Sequence, residues 1–314
     1  MNEPRISSPS APRTASAELA LVRQFPALGA LPRHALTNLP TAVAPLERLM
    51  HGAGVGPLWI KRDDVSSPLY GGNKPRKLEW LLGAAQARGR RAVITFGGIG
   101  THHGLATALC ARDAGLRTVL VLMPQPVTAH VRQCLLLHCA SGAEMHLAGS
   151  VGGIVARSLA LCTRELLRGQ AMAIIPTGGT SPLGAVGYVN AAFELAEQVR
   201  AGALPEPAAI IVPLGSGGTV AGLALGCRLA GLQTRVVGVL VTDILPPSAA
   251  RLARLGRATL ARLRGVDPGL PSVSLTAVDL SVETGFLGAG YGAETEAGAA
   301  AARAIADGEG IALE

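Results

Sequence analysis

The chain is short of lysine, of aromatic rings and of charge, and each shortage excludes something. Aromatic residues are 3% and charged residues 16% of its 314 residues. With so few rings there is little to stack nucleic-acid bases on, despite a formal charge of +7. Basic residues are scattered, apart from five arginines between Arg251 and Arg264 that alternate with Leu at helical spacing. That pattern reads as the wet face of an amphipathic helix, so no nucleic-acid partner is expected. Apolar runs stop well short of a bilayer span, and the first 25 residues lack the apolar centre of a signal peptide. The expectation is a cytoplasmic protein with no membrane partner and a mobile segment over residues 1–25. Cys110, Cys134, Cys139, Cys162 and Cys227 form no CxxC pair and read as reduced, mostly buried thiols, with no metal site expected.

What is plentiful is apolar: 49% of residues are hydrophobic, which excludes a disordered chain, and the 40 Gly and 21 Pro follow no repeat. Of the 28 basic residues only Lys61, Lys74 and Lys77 are lysines. A guanidinium stays protonated and cannot act as a nucleophilic amine, so any lysine chemistry has three candidates.

Strand-like runs alternate with Ala- and Leu-rich stretches of helical length. Strands are expected at 58–61, 92–96, 118–123, 144–147, 173–175, 209–212 and 236–241. Helices are expected at 76–88, 102–114, 128–141, 154–168, 185–200 and 220–229. Continuous Val/Ile/Leu runs between helices predict parallel strands covered on both faces, an α/β protein with right-handed crossovers.

Three Gly-rich turns sit at strand-to-helix junctions, where such proteins place ligands. The first, Tyr70-Gly-Gly-Asn-Lys-Pro-Arg-Lys-Leu-Glu79, puts Lys74 just ahead of Pro75. Pro75 disfavours a helical Lys74 and suits a helix's first turn, so Lys74 is expected at the mouth of a helix starting near Arg76. A plain surface lysine fits the same letters. The second turn, Phe96 to Gly104, ends in Thr101-His102-His103; a plain N-cap explains Thr101 as well as a functional hydroxyl does. His102 and His103, being adjacent, point to different helix faces and do not pair around a metal. The third, Pro213-Leu-Gly-Ser-Gly-Gly-Thr219, is the strongest phosphate cradle, with small residues, successive N–H groups and two hydroxyls. It lacks a Walker lysine, and its GxGG spacing with Asp243 downstream leaves a nicotinamide dinucleotide as a rival ligand.

A lysine at one turn and a phosphate cradle at another are what pyridoxal phosphate needs. The residues resemble more than that. Lys61-Arg-Asp-Asp64, Gly71 to Glu79, Leu39-Pro-Thr41, Gly97 to Ile99, Gly178-Gly179 with Leu183 to Tyr188, and Gly215 to Thr219 together resemble the 1-aminocyclopropane-1-carboxylate (ACC) deaminase/D-cysteine desulfhydrase family. The resemblance runs over roughly residues 25–314, and its GGNKxRKLE element is specific. It implies a two-domain, tryptophan-synthase-β-like (fold type II) α/β enzyme. The large cofactor domain would comprise 26–76 and 183–314, and the small domain 77–182.

By the same resemblance Lys74 carries pyridoxal phosphate and Asn73 helps to position it. Gly215, Ser216, Gly217, Gly218 and Thr219 hold the phosphate. Thr101 stands for a family serine acting as nucleophile or proton relay. His102 replaces an asparagine that meets the cofactor's phenolic oxygen, and Tyr291 lines the substrate pocket. Relatives continue past Gly310-Ile-Ala-Leu313, so the chain is expected to be C-terminally short. The implied activity is a lyase or deaminase acting on a small amino acid as a homodimer. β-Elimination from D-cysteine to pyruvate, ammonia and sulfide is favoured over opening of the cyclopropane substrate, because the methyl of Thr101 crowds the added nucleophile. A nicotinamide oxidoreductase and a catalytically weak relic are the alternatives.

Overall fold

A computed structural model describes residues 18–53, 56–244 and 246–312. Of the segment expected to be mobile, residues 1–17 lie outside the described residues. The remainder forms helix α1 (Ala20–Gln24), whose Leu21 is fully buried and donates its N–H to Asn190 Oδ1 at 3.0 Å. Two short strands, β1 (Val43–Pro45) and β2 (Trp59–Lys61), pair antiparallel around α2 (Glu47–Ala53).

Helix α3 (Lys74–Ala87) then leads into a four-stranded parallel sheet. Its chain order is β3 (Ala92–Gly98), α4 (His102–Asp113), β4 (Arg117–Met123), α5 (Ala129–Ala140), β5 (Glu144–Leu147), α6 (Val151–Leu167) and β6 (Ala173–Ile174). In space the strands run β5-β4-β3-β6, all parallel, as the apolar runs of β3 and β4 predict. The central helix α7 (Pro182–Arg200) follows. The second parallel sheet comes from β7 (Ala209–Leu214), α8 (Gly218–Ala230), β8 (Arg235–Leu240), α9 (Ala249–Arg264) and β9 (Leu280–Glu283), with α10 (Glu296–Glu309) last.

The strands expected from sequence are all present, with ends moved by at most a few residues. β1, β9, α1 and α2 are not expected from the sequence, because each is short or lacks an apolar period. The arginine-rich stretch is the amphipathic helix expected: Leu252, Leu260 and Leu263 of α9 are buried while Arg251, Arg254, Arg262 and Arg264 are exposed.

One helix organises the site. α7 is apolar on nearly every side, with Leu183 through Ala196 buried, so it must be wrapped by neighbours. Glycines let them come close. A Cβ at Gly187 would lie 2.0 Å from Arg76 O of α3, and one at Gly222 of α8 would lie 2.5 Å from Ala185 O. Trp80, Leu78 and Leu82 of α3 join Val186 and Val189 of α7 in the main core. The boundary expected after residue 76 therefore falls inside α3, a continuous helix docked on α7.

Candidate active site

The GGNKPRKLE segment proves to be a hub, in which successive polar side chains pin separate parts of the chain. Asn73 Nδ2 donates to Thr219 Oγ1 at 3.1 Å, which brings the first Gly-rich turn against the third. Arg76, 1% exposed, donates to both oxygens of Asp63 and of Glu194 and to Thr41 Oγ1 at 2.7–3.1 Å. Tyr188 OH donates to Asp63 Oδ2 at 2.8 Å, and Lys61 Nζ lies 3.2 Å from Glu194 Oε2. Burial opposes ionisation of Asp63, but Arg76 outweighs it and holds the carboxyl below its ordinary range. Glu79 reaches the other way: its carboxylate takes the N–H groups of Leu36 and Thr37 at 2.8 and 2.9 Å and the Arg33 guanidinium at 2.9 and 3.0 Å. An isolated ion would not survive such burial; here every charge has partners.

Lys74 is the first residue of α3, not the residue before it. Pro75 occupies the first turn as expected, but its restriction on the preceding residue does not keep Lys74 out of the helix. Three residues on lies Lys77, another of the three lysines available for amine chemistry. It is 2% exposed, and its Nζ donates to Gly178 O at 3.0 Å. Burial, then the neighbouring Lys74 charge, pushes its pKa down to about 7. A charged letter inside a helix that is otherwise buried from Pro75 to Ala85 was the available signal.

The cradle follows β7. Gly217 has φ +93°, where a side chain is strained, and its Cβ would meet Leu252 Cδ2 at 2.4 Å. Ser216 Oγ and Thr180 Oγ1 are 2.6 Å apart, and Gly218 N donates to Thr180 Oγ1 at 3.2 Å. Thr180, which the sequence does not single out, thus packs against the third Gly-rich turn; it follows the Gly178-Gly179 turn.

Thr101 makes the N-cap bond expected of one of its two readings. It caps α4, its Oγ1 accepting from Gly104 N at 3.2 Å. His103 is buried, 3.0 Å from Thr95 Oγ1 through Nε2; burial, then Lys77 and Lys74, push its pKa down to about 3, so it stays neutral. His102 turns the other way. Its Nδ1 meets Tyr70 OH and its Nε2 lies 2.7 Å from His130 Nε2, so both ring nitrogens have protein partners. Tyr291 is 56% exposed, and its N–H donates to Asp243 Oδ1 at 3.0 Å. Its phenol is raised by lost hydration first and by the nearby Cys134 second. Asp243, the candidate ribose acceptor, thus fixes the Tyr291 loop. Of the thiols, Cys110, Cys134 and Cys227 are buried, Cys162 is half-buried and Cys139 is exposed.

Residues 35–314 match the family described as pyridoxal-phosphate dependent enzyme. The chain is 37% identical over 279 residues to nocardicin C-9′ epimerase of Nocardia uniformis subsp. tsuyamanensis, covering 86% of this chain and 80% of that one. It is 32% identical to D-cysteine desulfhydrase of Klebsiella pneumoniae (strain 342), covering 90% and 84%. A crystal structure of an ACC deaminase homologue superposes with a TM-score of 0.76 at 32% identity, covering 92% of this chain and 84% of that one.

The residues fit that cofactor. Asn73 Oδ1 is buried with no hydrogen-bond partner, a cost tolerated where a ligand completes the site. A Cβ on Gly215 would meet nothing within 4 Å, so the cradle is open at its first glycine. This replaces the nicotinamide alternative. The chain belongs to the pyridoxal-phosphate-dependent enzymes, as a member of the lyase/deaminase type that includes ACC deaminase and D-cysteine desulfhydrase.

Proposed function

We propose that the chain catalyses β-elimination from a small, D-cysteine-like amino acid, giving pyruvate, ammonia and sulfide after hydrolysis. The observation that carries this reading is the Asn73–Thr219 hydrogen bond, which sets the lysine turn beside the phosphate cradle. In this proposal Lys74 bears the cofactor, Gly215, Ser216, Gly217, Gly218 and Thr219 receive its phosphate on backbone N–H groups and hydroxyls, and Asn73 orients it. Bound pyridoxal phosphate supplies an electron sink that makes the Cα proton of an attached amino acid removable. Lys74, with its amine free, would take that proton, and Thr101 would relay it by rotating out of its cap. The C–S bond breaks with its electron pair leaving on sulfur. Tyr291 borders the substrate, and His102 would stand at the cofactor's phenolic edge while keeping its partners Tyr70 and His130.

Two parallel sheets support a two-domain organisation with the smaller unit made chiefly of β3 to β6. A homodimer belongs to the same proposal; Val151, Val155 and Leu159 of α6 are exposed and would be covered by a partner. No helix among the described residues is long and apolar enough to cross a membrane.

The likeness to an epimerase favours a second reading. Epimerisation begins with the same Cα proton removal but returns the proton to the opposite face. Incubation with D-cysteine in deuterated water separates the readings. Pyruvate and sulfide release supports elimination; deuterium uptake at Cα with inversion and no pyruvate overturns it.

A further inference from the structure

We propose that His102, His130 and Cys134 form a binding site for a zinc-class divalent transition-metal ion. His102 is the first residue of α4, and His130 and Cys134 stand four residues apart on α5, on one face of that helix. The His102 and His130 Nε2 atoms are 2.7 Å apart, and His130 Nε2 lies 3.5 Å from Cys134 Sγ. One donor atom from each residue lies within 4.8 Å of the other two. The two imidazole planes lie 18° apart with their centroids 4.7 Å apart.

Tetrahedral zinc, with bonds of about 2.0 Å to nitrogen and about 2.3 Å to sulfur, sets N···N edges near ~3.3 Å and N···S edges near ~3.6 Å. The nitrogen–sulfur separation already has that length. The nitrogen–nitrogen separation must open by about 0.6 Å to reach it, a small turn of the exposed His130 ring. Without an ion, His130 Nε2 faces two neighbours with one proton or one lone pair to offer. A cation accepts lone pairs from all three donors at once.

Two further features fit. Tyr70 OH engages His102 Nδ1, the kind of outer partner that fixes the tautomer and direction of a ligating imidazole. The donor set of two imidazoles and a thiol selects zinc-like ions over Mg²⁺ or Ca²⁺. Three protein ligands leave a fourth position to water or to a donor from a bound molecule. The cluster adjoins Thr101, the residue before His102. Neither neighbouring histidine competes: His103 is turned to Thr95, and His138 Nε2 lies 3.1 Å from Thr101 O.

The test reads the ion itself and is independent of the proposed reaction. The cofactor-loaded protein, treated with chelator and a thiol-free reductant, is titrated with Zn²⁺ by calorimetry and with Co²⁺ by absorbance. The expected result is one ion per chain, with thiolate-to-cobalt charge transfer and the strong visible bands of tetrahedral cobalt. Cys134→Ser and His130→Ala should each weaken Zn²⁺ binding by about 100-fold or more, and Cys139→Ser should leave it unchanged. His130 is exposed, so its variant keeps the test decisive even where a change at buried Cys134 disturbs folding. Absence of stoichiometric binding, or binding and bands retained in His130→Ala, overturns the site.

Discussion

Replacing Lys77 by Met should make the protein more stable at pH 6 and slightly less stable at pH 10.5. The amine is buried, and its pKa falls from 10.5 to about 7 because burial, reinforced by Lys74, disfavours its charge. Between those two values the unfolded chain binds the proton and the folded chain does not. Stability therefore rises with pH across that window, and below about 7 the full penalty of a buried ammonium is present. At about 1.4 kcal/mol per pH unit, the gap amounts to roughly 5 kcal/mol. Methionine has similar length and no charge, so the penalty disappears with it. Its loss of the hydrogen bond to Gly178 O costs about 1 kcal/mol, which is all that remains at high pH. The check is urea unfolding of cofactor-stripped wild type and variant from pH 6 to 10.5, plotted as a difference so that shared titrations cancel. A difference curve that is flat with pH would refute both the depressed pKa and the burial that explains it.

Borohydride reduction followed by peptide mapping should place the pyridoxyl group on Lys74. Lys77 is the serious competitor, being largely neutral above pH 7, yet its amine is committed to Gly178 O beneath the Gly178-Gly179 turn; an adduct there would reverse the assignment. Gly215→Glu should lower pyridoxal phosphate affinity by about tenfold or more, since lost charge-assisted hydrogen bonds are worth about 1.5–3 kcal/mol. Gly215 is the better probe of the cradle than Gly217, because its Cβ enters open space and needs no positive φ; unchanged cofactor binding with the fold intact would refute the placement. Arg76→Met should cost about 3–5 kcal/mol by leaving Asp63 and Glu194 without their shared cation, and a loss under 1 kcal/mol by urea unfolding would show that Lys61 can replace it.

Much of this was legible because local chemistry and fold agree. Apolar runs of strand length between helices mark the parallel strands, and a Gly-rich turn after an apolar strand marks the turn proposed as the cradle. What one sequence does not show is partnership over distance. Arg76, Glu79 and Lys77 look alike as charged letters, yet one closes an ion network with a residue 118 positions away, one gathers the chain at 36–37, and one is buried beside its neighbour's charge. Thr101 is ambiguous in the opposite sense: its letter suits both a relay and a cap, and the 3.2 Å contact to Gly104 N shows the cap bond. His130 and Cys134 were overlooked because their third partner, His102, lies at the start of another helix. A four-residue spacing of His and Cys states only that two donors share a face. It takes the packing of α4 on α5, set by Gly104 and by the bond between His138 and Thr101 O, to turn that face into a convergent site. The general reason is that helix faces are written in the sequence, whereas the meeting of two faces depends on the small residues that let the helices approach.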